Sequence, residues 1–474
     1  MNIKPVILWT DALIYILILV AVIFLFWARN KAHLRNAWRQ VISRRLVVVA
    51  LVVLSVYIVI GLLDSVHFQR ALPSLPGSDK QYYSTKVESL FDVLISPIGQ
   101  NYEKTYSAPF ALNSFVLETM AEDGGEVTER FYPRLKYAGV GIENSRQRNI
   151  DILWRSSKAA TYAFLAWAAV VFIFLWLCSL KRKVPLLSLA QRVWRNQTEL
   201  PLRLFLLAWL VVAVIISVSF NLALEYHIMG TDKVGQDTFY QSLKSIRTGL
   251  VIGTLTTLVM LPFAIVLGIM AGYFSKWIDD VIQYIYTTLS SIPGVLLIAA
   301  SILSLQIFIS NHPQTFPTIE RQDDMRLLML CLILGVTSWT SLCRLLRAET
   351  LKIREIDYIQ AAFALGARHT SIIFRHILPN VMHIVLITLI LDFSTLVLAE
   401  AVLSYVGIGV APSTMSWGNM INSARLELAR EPVVWWPILA AFSFMFLLVL
   451  AANLFADAVR DALDPRSKQL SAMS

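Results

Sequence analysis

Asp357-Tyr358-Ile359-Gln360-Ala361-Ala362-Phe363-Ala364-Leu365-Gly366-Ala367, running on to Arg375-His376-Ile377-Leu378-Pro379-Asn380, decides how this chain is read. The first half is rich in small residues and reads as a short helix. Gly366 stands where the chain can turn, and a second short helix follows until Pro379 stops it. Small side chains let another backbone approach closely. Apolar residues alternating with basic ones make a surface that could dock a protein partner. The stretch lies in a charged segment, 344–380, between two apolar runs. A segment that only joined two helices would need neither this length nor this helical character.

Outward from it the chain is dominated by apolar runs. A helix needs about 20 mostly apolar residues to cross the hydrocarbon core. Nine stretches meet or nearly meet that requirement: about 12–28, 46–63, 159–180, 204–224, 248–275, 281–309, 327–343, 381–408 and 432–456, the first and seventh being short. They are continuously apolar, not alternating, which favours helices over a barrel. The composition agrees, with 57% hydrophobic and only 15% charged residues, against about 25% charged in soluble domains. Mean hydropathy is +0.62. The expected fold class is an all-α polytopic membrane protein of about nine transmembrane helices, with the lipid bilayer as its main solvent.

The net charge of +9 does not point to nucleic acid, because the basic residues cluster beside apolar runs, where orientation signals belong. Arg29, Lys31, Arg35, Arg39, Arg44 and Arg45 form one such cluster. Lys181, Arg182, Lys183, Arg192, Arg195 and Arg203 form a second, and Arg344, Arg347, Lys352, Arg354, Arg368 and Arg375 a third. All three are expected on the cytoplasmic side. The N-terminus is then outside, and the C-terminus, with Arg460, Arg466 and Lys468, is inside. The first apolar run is long, is followed by basic residues and has no A-x-A-like site, so it reads as a retained helix and not a cleaved signal.

Five segments follow. Residues 1–63 hold two N-terminal transmembrane helices, and 64–158 form an extracytoplasmic loop or small domain containing Pro73, Pro76 and the turn Asp123-Gly124-Gly125. Residues 159–184 are a third transmembrane helix. Residues 185–468 are a six-helix core with the cytoplasmic loop 344–380, and 469–474 a cytoplasmic tail. Cys178, Cys331 and Cys343 lie in apolar runs, which suggests neither a disulfide framework nor a metal site.

The loop residues Gln360-Ala361-Ala362, Gly366 and Leu378-Pro379 resemble the coupling loop of ABC-importer permeases, EAA-x3-G-x9-I-x-L-P. The ending Arg375-His376-Ile377-x-Pro379-Asn380 resembles the dipeptide/oligopeptide/nickel branch. Gly230-Thr231-Asp232-x-x-Gly235-x-Asp237 is similar to that branch's GTD-x-x-GRD. Leu403-Ser404-Tyr405-Val406-Gly407-Ile408-Gly409, followed by Ser416-Trp417-Gly418, is similar to its LSFLGLG stretch. Arg460-Asp461-Ala462-Leu463-Asp464-Pro465-Arg466 matches an RDALDPR tail. The resemblance covers about 185–468, and the helices before it are an atypical N-terminal extension. Two departures stand out: Gln360 replaces the usual Glu, and Gln236 replaces the Arg of GRD.

The resemblance implies a six-helix permease core that pairs with a second permease subunit. Two ATPase subunits would be engaged through Asp357, Tyr358, Gln360, Ala361, Ala362, Gly366, Arg375, His376 and Pro379. An extracytoplasmic solute-binding protein would deliver the substrate, short peptides being the first expectation and nickel or another small solute the alternative. ATP and magnesium would be held by the ATPase subunits and no cofactor by this chain. No GxxxxGK[ST], HExxH or GxSxG pattern occurs, so the residues suggest no catalysis.

Asp392 and Glu400 fall within the eighth span, eight residues apart and so on one helical face. Ionisable groups inside a span are candidates for a polar pathway lining; pairing with a neighbour is the structural alternative. His383 reads as interfacial. Pro262 and Pro293 read as kinks in the fifth and sixth spans, Asp232 and Asp237 as helix caps, and Trp435-Trp436 as an outer interfacial belt. An interfacial amphipathic helix is the bland reading of the coupling loop. The rival classes are an ion-coupled secondary transporter, which would show symmetric broken helices in two halves, and a structural envelope protein.

Overall fold

A computed structural model describes residues 3–29, 32–72, 82–121, 127–139, 141–142, 144–197, 200–316 and 318–463. Pro73, Pro76, the 123–125 turn and the tail residues Arg466 and Lys468 lie outside the described residues.

Helices run the length of the chain: α1 (Trp9–Arg29), α2 (Ala32–Ser43), α3 (Arg45–Asp64), α4 (Leu90–Gly99), α5 (Ser145–Arg182), α6 (Leu186–Trp194), α7 (Leu202–Ala223) and α8 (Thr238–Phe274). They continue as α9 (Lys276–Ser291), α10 (Gly294–Asn311), α11 (Ile319–Arg354), α12 (Asp357–Ala364), α13 (His369–Ile372), α14 (Leu378–Tyr405), α15 (Trp417–Ala424) and α16 (Trp436–Leu463). Among the described residues eight are long and apolar enough to cross a membrane: α3, α5, α7, α8, α10, α11, the run His369–Tyr405 and α16. The first apolar run supplies a shorter stretch, Trp9–Ile23.

Three expectations about helix ends are corrected. The run 281–309 is two helices, not one kinked span. Pro293 has no N–H and disfavours helical geometry in the residue before it, and Ile292 is extended at φ −84°, ψ 126°. Pro262, by contrast, sits inside an unbroken α8. Pro379 does not stop a helix: α13 passes through a π turn at Ile373–Ile377 into α14. There the Leu378 N–H donates to Ile373 O, five residues back, and the wider turn makes room for a ring that would otherwise meet a carbonyl. The third transmembrane helix begins at Ser145, before residue 159, because the polar turns of α5 find partners. Arg155 bonds Asp151 at 2.8 Å and Glu225 at 3.2 Å.

The centre of the bundle is the α8–α11 pair. A Cβ on Gly268 would lie 2.9 Å from Cys343 O, and one on Gly335 3.0 Å from Thr256 O, so glycine permits the close approach of these helices. One buried cluster joins Met260 and Ala264 of α8, Leu342, Cys343 and Leu346 of α11, and Val381 and Val385 of α14. A second joins Ile252 and Leu255 to Leu330, Leu334, Ile298 and Ile302.

The excursion after α3 folds onto the core over its described part. Strand β1 (Ile3–Val6) pairs antiparallel with β2 (His67–Arg70), which pairs with β3 (Glu88–Ser89). The strands β4 (Glu118–Ala121) and β5 (Val127–Phe131) form a second antiparallel pair. Ser89 and Asp92 form a capping box at the start of α4. The backbone of 103–110 is stitched to the segment before α8: Glu103 N donates to Gly235 O at 2.9 Å, Thr231 N to Ser107 O at 3.0 Å and Phe110 N to His227 O at 3.0 Å. Gly235, at φ +76°, is required there, since a Cβ would fall 1.8 Å from Glu103 O.

Candidate functional site

The segment 357–380 is a built structure. Ile359 of α12, Ile372 of α13 and Ile377 of the π turn are all buried, and they join the cluster formed by α8, α11 and α14. The apolar residues of the loop that face inward therefore anchor it to the bundle. Side-chain bonds add to this. Asn380 Nδ2 donates to Tyr358 OH at 2.8 Å and to His376 O at 2.7 Å, and the Tyr358 and His376 rings lie 6.0 Å apart. Tyr273 OH, at the end of α8, meets His369 Nδ1 at 2.8 Å. Arg347 grips Asp279 of α9 through two bonds of 2.5 and 2.6 Å.

The opposite face of the loop is bare. Phe363 is 60% exposed and Leu365 87%, while Asp357, Tyr358, Gln360, Ala361, Gly366, Arg375 and Pro379 are exposed and Ala362 and His376 intermediate. Gly366 turns the chain at φ +78°, where a side chain would be strained even though nothing lies within 4 Å of a Cβ. The Gln360 amide donates to Glu355 Oε2 and to Glu355 O, each at 3.3 Å. A Glu at this position would face the Glu355 carboxylate without a proton to share, which gives the replacement a local reason.

The two acids of α14 differ in setting. Glu400 is buried, and its Oε1 accepts from Ser404 Oγ at 2.7 Å. Asp392 is intermediate in exposure. His383 is intermediate in exposure, and its Nδ1 lies 2.7 Å from Asn380 O. Asp237 caps α8 by accepting from the N–H groups of Phe239 and Tyr240 at 2.8 and 3.0 Å. Asp232 accepts from Val234 and Gln236 N–H within the preceding turn. The expected Trp435-Trp436 belt is only half correct. Trp435 is exposed, but Trp436 is buried against Phe115 and donates to Thr231 O at 2.8 Å, because the folded excursion covers it.

Sequence reasoning missed two buried polar clusters. In the first, His227 Nδ1 lies 2.7 Å from Asp237 Oδ2, and its Nε2 lies 3.6 Å from Glu103 Oε1. Burial alone would lower the His227 pKa, but the bond to Asp237 and the nearby Glu103 carboxylate override it and lift the group to about 9. Burial alone would raise Glu103, yet the neighbouring His227 ring and the Tyr137 and Lys136 N–H groups hold it below its usual value. A folded pKa above the unfolded one gives stability that is complete below the unfolded pKa and is lost as pH rises through the folded one. The melting temperature is therefore expected to fall between about pH 6.5 and 9.5, the pair contributing on the order of 3 kcal/mol at the acid end of that window. Thermal melts of wild type and His227→Gln across that range check this: the variant's curve should be the flatter one.

The second cluster ties the N-terminus to the core. Arg247 of α8 bonds Asp11 of α1 at 2.7 Å, and Asp11 bonds His67 of β2 at 2.7 Å. Thr10 Oγ1 donates to Asp324 of α11, and Trp9 N donates to the same carboxylate at 2.8 Å. Nearby, Lys244 bridges Asp64 and Asp92. No local pattern marks these residues, because their partners are far away in sequence.

A bundle of long apolar helices with a core-anchored loop at its edge defines a multi-pass membrane protein. The family model described as "Binding-protein-dependent transport system inner membrane component" matches residues 264–469. The glutathione transport system permease protein GsiD of Pectobacterium atrosepticum is 32% identical over 243 residues, 51% of this chain and 73% of that protein. The oligopeptide transport system permease protein OppC of Mycobacterium tuberculosis is 30% identical over 244 residues, 52% and 77% of the two chains. The dipeptide transport system permease protein DppC of Alkalihalophilus pseudofirmus is 31% identical over 242 residues, 51% and 73%. The chain belongs to this family of ABC-importer permeases and is a multi-pass membrane protein. The inward-facing MetNI methionine ABC transporter aligns at a TM-score of 0.33 and 17% identity, over 46% of this chain and 93% of that one; that likeness carries none of the argument.

Proposed function

We propose that this chain pairs with a second permease to form the pathway by which short peptides cross a bacterial inner membrane. Two separate ATPase subunits drive it, an extracytoplasmic binding protein supplies it, and the chain itself carries out no catalysis. ATP and magnesium belong to the ATPase subunits. The observation that carries this reading is the form of α12: anchored through Ile359 at 2% exposure and tipped with Phe363 and Leu365 at 60% and 87%. An exposed apolar tip on a rigid base is a surface that a partner's groove covers. Closure of the ATPase dimer would pull on that tip, and the anchor would pass the movement to α8, α11 and α14, biasing a bundle with two arrangements.

The basic clusters favour a cytoplasmic α12 and C-terminus and an outside N-terminus. Residues 185–468 then form the permease core and the first 184 an addition stapled to its outer end. Peptides are favoured as substrate because the relatives are named for glutathione, oligopeptides and dipeptides. Asp392 and Glu400 are proposed as polar positions along the pathway. Of the two, Asp392 is the better placed to meet a substrate, since Glu400 is already bonded to Ser404. The complex, reconstituted in liposomes with its binding protein, should hydrolyse ATP faster when a peptide pool is added. Purification without any ATPase subunit, or ATP hydrolysis indifferent to peptides, would sink the proposal.

A further inference from the structure

Helices α5 and α7 stand at the edge of the bundle, and between them runs an apolar groove of about 870 Å³. Ala163 and Ala166 of α5 and Ala213 of α7 line it, leaving room that larger side chains would fill, and Phe174 and Trp209 border it. Trp167, also on the groove, is held in place by donating its Nε1–H to Leu206 O at 3.0 Å. Along α7 the groove reaches from Leu202 to Ser217, about 22 Å at 1.5 Å per residue. That exceeds half of the roughly 30 Å hydrocarbon core, the depth of one leaflet.

The Leu202 end of the groove is where α5 finishes, α7 starts and the short helix α6 crosses between them, contributing Val193 to the lining. Cations gather there from all three elements. Lys181 and Lys183 come from the end of α5, Arg192 and Arg195 from α6, and Arg203 from the first turn of α7. All five are exposed, and none forms an ion pair with a described carboxylate. Arg203 is fixed in place, its guanidinium 5.5 Å from the Trp194 ring centre and donating to Trp194 O at 3.4 Å.

We propose that this groove is a binding site for an anionic phospholipid. One acyl chain lies against the alanines, and the phosphate of the headgroup sits on the Arg192–Arg195–Arg203 cluster. An apolar trough at membrane depth with a cationic rim at one end matches such a lipid in both chemistry and order. A helix from another membrane subunit could fill the trough, but it would leave five cations unneutralised. The site rests on the orientation proposed above, which puts the rim at the cytoplasmic leaflet, where anionic lipids are concentrated. The lipid would cement α5, the last helix of the N-terminal addition, to α7 of the core.

Native mass spectrometry of the detergent-purified full chain tests this, with phosphatidylglycerol and phosphatidylcholine of identical acyl chains added in turn. Wild type should retain phosphatidylglycerol at least about tenfold better than phosphatidylcholine. The triple variant Arg192→Gln, Arg195→Gln, Arg203→Gln should lose that preference. Ala213→Trp, which fills the trough, should lose retention of both. Should that variant misfold, the triple variant still decides, because its side chains are exposed. Equal retention of the two lipids by wild type overturns the proposal, as does an unchanged preference in the triple variant. So does an Ala213→Cys variant that cross-links in cells to a second membrane protein instead of to lipid. Capture of ATPase subunits should be the same for all these variants, so failure of the lipid site and failure of the permease reading give different results.

Discussion

Replacing Leu365 with Asp is expected to abolish capture of the ATPase subunits while leaving the permease's melting temperature unchanged. Leu365 is 87% exposed, at the tip of the loop and just before the Gly366 turn. Nothing in the folded chain depends on it, so the free permease should not register the change. An apolar side chain in this position has value only when a partner covers it. Truncating such an anchor at an interface commonly costs 2 kcal/mol or more, about thirtyfold in affinity, and burying a carboxylate in its place adds a desolvation penalty. Capture by a tagged ATPase subunit, measured beside the thermal melt, separates the two effects. Ile359→Asp is the contrast. That side chain is 2% exposed, so its replacement should lower the melting temperature as well as capture. A Leu365→Asp variant that still co-purifies with ATPase subunits and supports uptake would remove α12 from the coupling role.

The loop was legible because its signals are local. Small residues, a glycine and a proline within 24 positions spell a helix, a turn and a second helix without reference to the rest of the chain. The π turn was not legible, because the path by which Pro379 avoids a carbonyl depends on Ile372 and Ile377 being held in the core. Pro293 shows the same limit from the other side. Its ring forbids a continuous helix, but whether the chain bends or breaks there depends on what packs around it, and here it breaks. Trp436 was misplaced because a hydrophobic ring near a helix start looks interfacial until a folded excursion is seen to cover it. The His227 and Arg247 clusters left no trace in the sequence. Glu103 lies far from His227, and Asp11 farther still from Arg247, so only the fold makes them neighbours.

The Arg247 cluster gives the largest expected loss of stability. The Asp11 side chain is 0% exposed and that of Arg247 13%. Removing one partner of a buried pair leaves the other charged and unpaired, which costs about 3–5 kcal/mol. Arg247→Met should therefore lower the melting temperature sharply, with Asp11 and Asp324 left near one another without the cation between them. His67 stays beside Asp11 at 2.7 Å and softens the loss. The distinguishing result comes from the double variant Asp11→Asn, Arg247→Met. With both charges gone the desolvation cost also goes, and much of the lost stability should return, since well-packed neutral replacements of buried pairs are often near neutral. The first part to come loose in Arg247→Met should be the N-terminus, because the bonds of Trp9, Thr10 and Asp11 supplement the packing of Ile14 in fastening α1 to α8 and α11. Limited proteolysis should then cut before residue 64 at temperatures where the core is still folded. If Arg247→Met instead melts within about 1 kcal/mol of wild type, the cluster is solvated and does not staple the added helices to the permease.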